Sequence, residues 1–167
     1  MVTLLLLRHG KSDWDAGHGV DHDRPLAPRG VRSARIMGRL VTREGLVPDV
    51  VISSTAERAA RTAELAEAAG TWDRRISLDR RLYDAGPAGV LGVAAEVTDA
   101  DRLLLVGHQP TWSLLVRRVT GEYPDLKTAD LAVIDLPIED WSAVERAAGT
   151  LVAIHHPRDH FDGPLDR

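Results

Sequence analysis

The opening strand signal constrains this chain more than any other feature. Val2-Thr3-Leu4-Leu5-Leu6-Leu7 stops abruptly at Arg8-His9-Gly10-Lys11-Ser12. The run is too short to cross a membrane and has the length of a strand buried on both faces. Such strands belong to sheets covered by helices on either side, and in open sheets of that kind ligands bind beyond the strands' carboxyl ends. A guanidinium and an imidazole leaving a buried strand there suit an anionic ligand, and Gly10 permits a tight turn. The question for the rest of the chain is whether more cations converge on the same point.

The remaining chain alternates helix and strand signals. Pro28 opens a helix over about Arg29 to Glu44, with Gly45 at its end. Val31, Ala34, Met37, Leu40 and Val41 recur at helical spacing and predict its core face. Arg32, Arg35, Arg39 and Arg43 form a separate stripe, read as a solvated face balanced by nearby acids. Asp49–Ser53 reads as a second buried strand. Ser54-Thr55-Ala56-Glu57 has capping-box spacing and predicts a helix to about Ala69, stopped by Gly70. Arg58 falls in its first turn, and Arg61 is placed to pair with Glu57 at i, i+4. A short strand at Ile76–Leu78, an irregular stretch over Leu82–Pro87 and a weaker helix over Ala88–Val97 follow. Leu103–Val106 is another buried strand, stopping at Gly107-His108-Gln109-Pro110, and a helix over Thr111–Thr120 ends at Gly121. Two last strands, Leu131–Leu136 and Leu151–His155, flank a segment holding Trp141. This order predicts a three-layer α/β/α sandwich around a mainly parallel central sheet. With no repeat, low-complexity tract or linker, residues 1–167 are expected to form one domain.

Composition removes several function classes. The formal net charge of −4 argues against a nucleic-acid binder, and no stretch reaches the length of a membrane helix. No basic segment precedes the first apolar run and no small-residue cleavage site follows it, so no secretory leader is expected. The absence of cysteine excludes disulfides and thiolate chemistry and fits a reducing cytoplasm, the expected location. Among the 21 basic residues only Lys11 and Lys127 are lysine, so a single arginine is weak evidence of function.

Repetition is stronger evidence. Arg8 and His9 end the first strand, Arg58 lies just past the second, and His108 ends a third. Parallel neighbours would bring these four side chains around one phosphate-sized anion, where arginine forks match phosphate oxygens. A neutral histidine beside them can attack phosphorus. The helix N-termini near Thr55 and Thr111 would add positive dipole ends at the same edge. Singly, each residue has a structural alternative: His9 or His108 as a hydrogen-bonded strand end, Arg58 in an ion pair, Glu57 as a cap.

Four stretches then make the chain resemble the histidine phosphatases of the phosphoglycerate-mutase-like superfamily, in particular the short bacterial phosphohistidine phosphatases of the SixA type. They are Leu7-Arg8-His9-Gly10-Lys11-Ser12; Asp23-Arg24-Pro25-Leu26 with Gly30; Ser53-Ser54-Thr55-Ala56-Glu57-Arg58-Ala59 with Thr62; and Val106-Gly107-His108-Gln109-Pro110. The resemblance implies that fold, a phosphatase activity, and His9 as a transiently phosphorylated nucleophile. It implies that Arg8, Arg58 and His108 hold the phosphoryl oxygens and stabilise an in-line transition state. Ser12, Arg24 and Gln109 join them as substrate-binding residues. No cofactor or metal is expected; His155, His156 and His160 lack a clear ligand set and are read as a surface tail. Many relatives place a glutamate general acid after the third strand, and the nearest carboxylate here is Asp84, a candidate acid or a turn cap. An alkoxide needs a proton donor, whereas a phosphorylated imidazole departs more easily, so this departure favours phosphohistidine.

The expected partner is therefore a phosphorylated protein bearing phosphohistidine, acted on by a monomer. The alternatives are a phosphatase of a small phosphorylated metabolite or nucleotide and a non-catalytic phosphoprotein-binding module. A mutase is disfavoured because retaining the intermediate demands a closed, dry site.

Overall fold

The structure, a computed structural model, describes residues 1–17 and 19–160. Its centre is a six-stranded sheet in the order β3-β2-β4-β1-β5-β6. The strands are β1 (Val2–Arg8), β2 (Val50–Ser53), β3 (Ile76–Leu78), β4 (Arg102–Gly107), β5 (Leu131–Leu136) and β6 (Thr150–His155). β1 to β4 run parallel; β5 is antiparallel to β1, and β6 is antiparallel to β5. Leu4, Leu5, Leu6 and Leu7 are 0–1% exposed. Each such side chain contributes about 1.5–3 kcal/mol on leaving water.

Alternate residues of β1 face opposite layers. Leu5 and Leu7 pack with Met37 and Leu40 of α1 (Pro28–Arg43) and Ala59 and Ala63 of α2 (Glu57–Gly70). Leu4 and Leu6 pack on the other side with Val90 and Leu91 of α4 (Gly86–Ala95) and Trp112 and Leu115 of α5 (Thr111–Thr120). The expected three-layer arrangement is thus present, its cores divided by the sheet. α1 and α2 approach closely because Gly38 has no side chain: a Cβ there would sit 2.1 Å from the Ala66 carbonyl oxygen. Among the described residues, no helix is long and apolar enough to cross a membrane.

Several boundaries differ from the sequence expectation. Leu82–Pro87 is not irregular: a short helix, α3 (Arg81–Asp84), precedes α4, which itself starts two residues before the expected Ala88. Asp79 nucleates α3 through its side chain, which accepts from the Arg81 N–H. The capping box does not form. α2 begins at Glu57 after Ala56, with no side-chain cap, and the Ser54 hydroxyl accepts from Ala56 N–H, one residue short of the Glu57 N–H that a capping box would use. Arg61 pairs with Glu64 rather than Glu57. The segment around Trp141 is a 3-10 turn whose indole N–H donates to the Ala100 carbonyl.

Candidate active site

β4 lies between β2 and β1, so the carboxyl ends that carry Arg58, His108 and Arg8–His9 are adjacent. Two backbone ties fix the first of them: His9 N–H donates to the Gly107 carbonyl and Ala129 N–H to the His9 carbonyl. Trp112 underlies both strand ends, its indole donating to the Leu7 carbonyl and its ring filling the space a Cβ on Gly107 would need. Gly10 approaches the Gly30 backbone so closely that a Cβ would meet its carbonyl oxygen at 2.7 Å. Thr62 joins this loop to α2, accepting from Gly10 N–H and donating to the Arg58 carbonyl.

A cavity of about 240 Å³ opens above these ends, lined by Arg8, His9, Lys11, Ser12, Trp14, Arg24, Arg58, His108, Gln109 and Thr128. All the expected site residues except Asp84 therefore meet there. His9 is 6% exposed, and its Nδ1 lies 2.7 Å from the Gly10 carbonyl oxygen. A carbonyl can only accept, so Nδ1 carries the proton and Nε2 keeps a free lone pair. Burial, reinforced by the charges of His108, Arg58 and Arg8, lowers the His9 pKa to about 3, so the ring is neutral near pH 7. Burial and Arg58 likewise lower His108 to about 4. The two rings sit 5.2 Å apart. His108 Nε2 is 2.8 Å from the Ser54 hydroxyl, and its Nδ1 is buried with no hydrogen-bond partner among the described residues.

The arginines are held from behind. Arg8 donates to the Leu126 carbonyl, Arg24 to Ser12 and to Asp21, and Arg58 to both the carbonyl and the carboxylate of Asp21. The Nε atoms of all three are buried without a hydrogen-bond partner among the described residues. Unpaired buried donors are costly unless an acceptor completes them, and an oxyanion in this cavity is such an acceptor.

Sequence reasoning missed Asp21. Its carboxylate takes Arg24 at 2.9 Å, Arg58 at 3.0 Å and the Tyr83 hydroxyl at 2.9 Å. Arg24, then Tyr83 and Arg58, hold it well below the usual carboxylate range, so it stays ionised. Tyr83 in turn sets its ring edge-on to His108, with centroids 5.5 Å apart. The only signal for Asp21 in sequence was its place three residues before Arg24, which a loop rich in Asp and His hides. Trp14 was also missed: it is 68% exposed at the cavity mouth, with the Arg24 guanidinium 3.5 Å from its ring centroid.

Two expected residues sit differently from their expected roles. Asp84 does not line the cavity; its carboxylate accepts from Arg80 at 3.1 Å on the outer side of α3. Gln109 lines the cavity, but both ends of its amide engage Ser113, fastening the start of α5. The C-terminal histidines are not merely a surface tail. His156 Nδ1 lies 2.8 Å from the carboxylate of Asp130, which is fully buried. Among the described residues, no group of three or more His, Cys, Asp or Glu side chains is placed to hold a metal ion. A larger hollow of about 480 Å³ lies where β4 begins, but it is acidic, lined by Asp99, Asp101, Glu139 and Asp140 with no Lys, Arg or His among the described lining residues.

Comparison with known proteins agrees with this geometry. Residues 4–87 match the histidine phosphatase superfamily (branch 1). An uncharacterised protein of Mycobacterium tuberculosis is 35% identical, the alignment covering 91% of this chain and 100% of that one. Two solved structures assigned as phosphohistidine phosphatase SixA share the fold. The one from Nakamurella multipartitia has a TM-score of 0.82 at 29% identity, covering 93% of this chain and 96% of the other. That from Agrobacterium tumefaciens has 0.80 at 28%, covering 93% and 98%.

Proposed function

Because the chain belongs to the histidine phosphatase superfamily and is a phosphatase of that kind, we propose that it removes the phosphoryl group from phosphohistidine on a protein. His9 Nε2 attacks phosphorus in line as the bond to the substrate's imidazole breaks. Positive charge then develops on the His9 ring, and its Nδ1–H bond to the Gly10 carbonyl strengthens. Arg8, Arg24 and Arg58 face the growing negative charge on the phosphoryl oxygens from fixed positions, the economical arrangement for such a transition state. With Ala56 N–H bonded to the Ser54 hydroxyl, that hydroxyl is placed to donate to His108 Nε2, which leaves Nδ1–H for a phosphoryl oxygen. Water then attacks phosphorus, the bond to His9 Nε2 breaks, and inorganic phosphate leaves with His9 neutral again.

The observation that carries the choice of substrate is the absence of any carboxylic acid among the described residues lining the cavity. Asp21, the carboxylate that holds Arg24 and Arg58, is kept ionised and cannot donate a proton. An alkoxide leaving group needs such a donor, and a protonated imidazole does not. The likeness to structures assigned as SixA supports the same reading. The test compares a phosphohistidine peptide with an alkyl phosphate, using His9→Ala as control. The peptide should be hydrolysed at least a hundredfold faster, the usual scale of general acid catalysis. An acid-labile, alkali-stable phosphoryl group should be trapped on wild-type protein and absent from His9→Ala. Equal rates on the two substrates would refute the substrate assignment, and turnover by His9→Ala would refute the covalent route.

A further inference from the structure

The segment Leu126–Asp130 walls the active site: Leu126 takes Arg8, Ala129 takes the His9 carbonyl, and Thr128 lines the cavity. Thr128 also lines a second, smaller hollow of about 50 Å³ on the far side of that wall. There Arg29 and Ser33 of α1 meet Lys127 and Arg158. In a chain of net charge −4, this gathers three cations against one edge of the catalytic cavity.

Three observations mark the hollow as built for an anion. Ser33 is only 6% exposed, lines the hollow, and its hydroxyl has no hydrogen-bond partner among the described residues. Arg29 and Arg158 are exposed and make no hydrogen bond or ion pair among those residues, while Lys127 reaches Asp125. The sixteen-residue helix α1 begins beside the hollow with Ala27 as its cap and no side chain closing its first N–H groups. The one acid in the lining, Asp130, is 0% exposed and turned inward, its carboxylate accepting from Lys127 N–H and lying 2.8 Å from His156 Nδ1.

On the reading of the catalytic site given above, we propose that this hollow is a second anion subsite. It takes an Asp or Glu carboxylate on the surface of the phosphoprotein while the phosphohistidine enters the cavity beside His9. The two sites share Thr128, so one substrate surface can reach both. The subsite selects phosphohistidine set among acidic residues.

The test uses two synthetic peptides carrying one phosphohistidine, flanked by aspartates in one and by asparagines in the other, with p-nitrophenyl phosphate as a third substrate. At low salt the wild type should prefer the acidic peptide by about tenfold in kcat/KM, the sum of two exposed charge pairs, and the preference should fade as salt screens it. Arg29→Glu/Arg158→Glu should abolish the preference and leave p-nitrophenyl phosphate hydrolysis unchanged. Arg29→Glu places an acid in the first turn of α1, which favours the helix, Arg158 is exposed, and an unchanged melting temperature shows that lost folding does not explain the result. Arg29→Gln/Arg158→Gln should fall between. Equal rates on the two peptides, or a preference that survives in the double variant, would overturn the proposal. So would a double variant impaired only on a small phosphorylated acid such as O-phosphoserine. If neither peptide is hydrolysed while p-nitrophenyl phosphate is, the phosphohistidine reading fails instead. Direct binding of the two peptides then decides the subsite: tighter binding of the acidic one, lost in the double variant, supports it, and equal binding refutes it.

Discussion

Replacing His9 by asparagine should show what holding a neutral nucleophile does to stability. The ring is buried among three positive or potentially positive groups, and its pKa falls from the ordinary 6.5 to about 3. The folded protein thus resists a proton that the unfolded chain accepts readily between those values. Stability attributable to His9 is complete above about pH 6.5 and is lost as pH falls toward 3. Each pH unit in that window corresponds to about 1.4 kcal/mol. By pH 4 the wild type should have lost about 3 kcal/mol relative to His9→Asn, or roughly 6–12 °C in Tm for a chain of this size. Carboxylates such as Asp21, held ionised in the fold, lose stability in the same direction on acidification, but they do so in both proteins and cancel in the difference. The assay is urea or thermal unfolding of the pair at half-unit steps from pH 7.5 to pH 4. A constant offset between the two curves would show that His9 titrates as an ordinary histidine, and the neutral-nucleophile argument would fail.

Arg58→Ala should lower kcat by roughly 10²–10³-fold at saturating substrate, because its fork meets charge that grows in the transition state; steady-state kinetics would show it. Asp21→Asn should cost about tenfold in kcat, less than loss of Arg58 itself, by loosening the two arginines it holds. It should also lower the His108 pKa further, since the Asp21 charge raises it; an NMR titration reads this directly. Asp84→Ala should leave kcat within about twofold on phosphohistidine, aryl and alkyl substrates alike, because an exposed Arg80 pair is all it removes. Gly38→Ala should cost roughly 1–3 kcal/mol in urea unfolding, since the new methyl would press on the backbone of α2 rather than on a movable side chain.

How much of this was legible in sequence follows from the range of the interactions involved. β1, β2 and β4 announced themselves because a strand buried on both faces must be a continuous apolar run, and the cations at their ends stood in fixed sequence relation to those runs. Once the strands were taken as parallel neighbours, Arg8, His9, Arg58 and His108 had to share an edge. Local chemistry was less dependable. Ser54 carries the capping-box spacing, yet its hydroxyl is bound to His108 fifty-four residues away, and the helix starts three residues later without it. A long-range partner displaced the local one, which spacing alone does not reveal.

The same reason hid the carboxylate that matters. A search for a proton donor in sequence settles on an acid near the expected place after β3, and Asp84 is there. One turn of α3 decides otherwise: it directs Tyr83 toward His108 and sends Asp84 outward to Arg80. Asp21 lies in a loop with no apolar period and contacts groups three, thirty-seven and sixty-two residues distant, so nothing in its neighbourhood distinguishes it. Its three donors keep it ionised, which suits it to anchor guanidinium groups and unfits it to supply a proton. Among the described residues, the cavity lining thus has strong fixed positive charge and no carboxylic acid. That combination stabilises a transferring phosphoryl group and leaves the leaving group to depart unaided, as a protonated imidazole can and an alkoxide cannot.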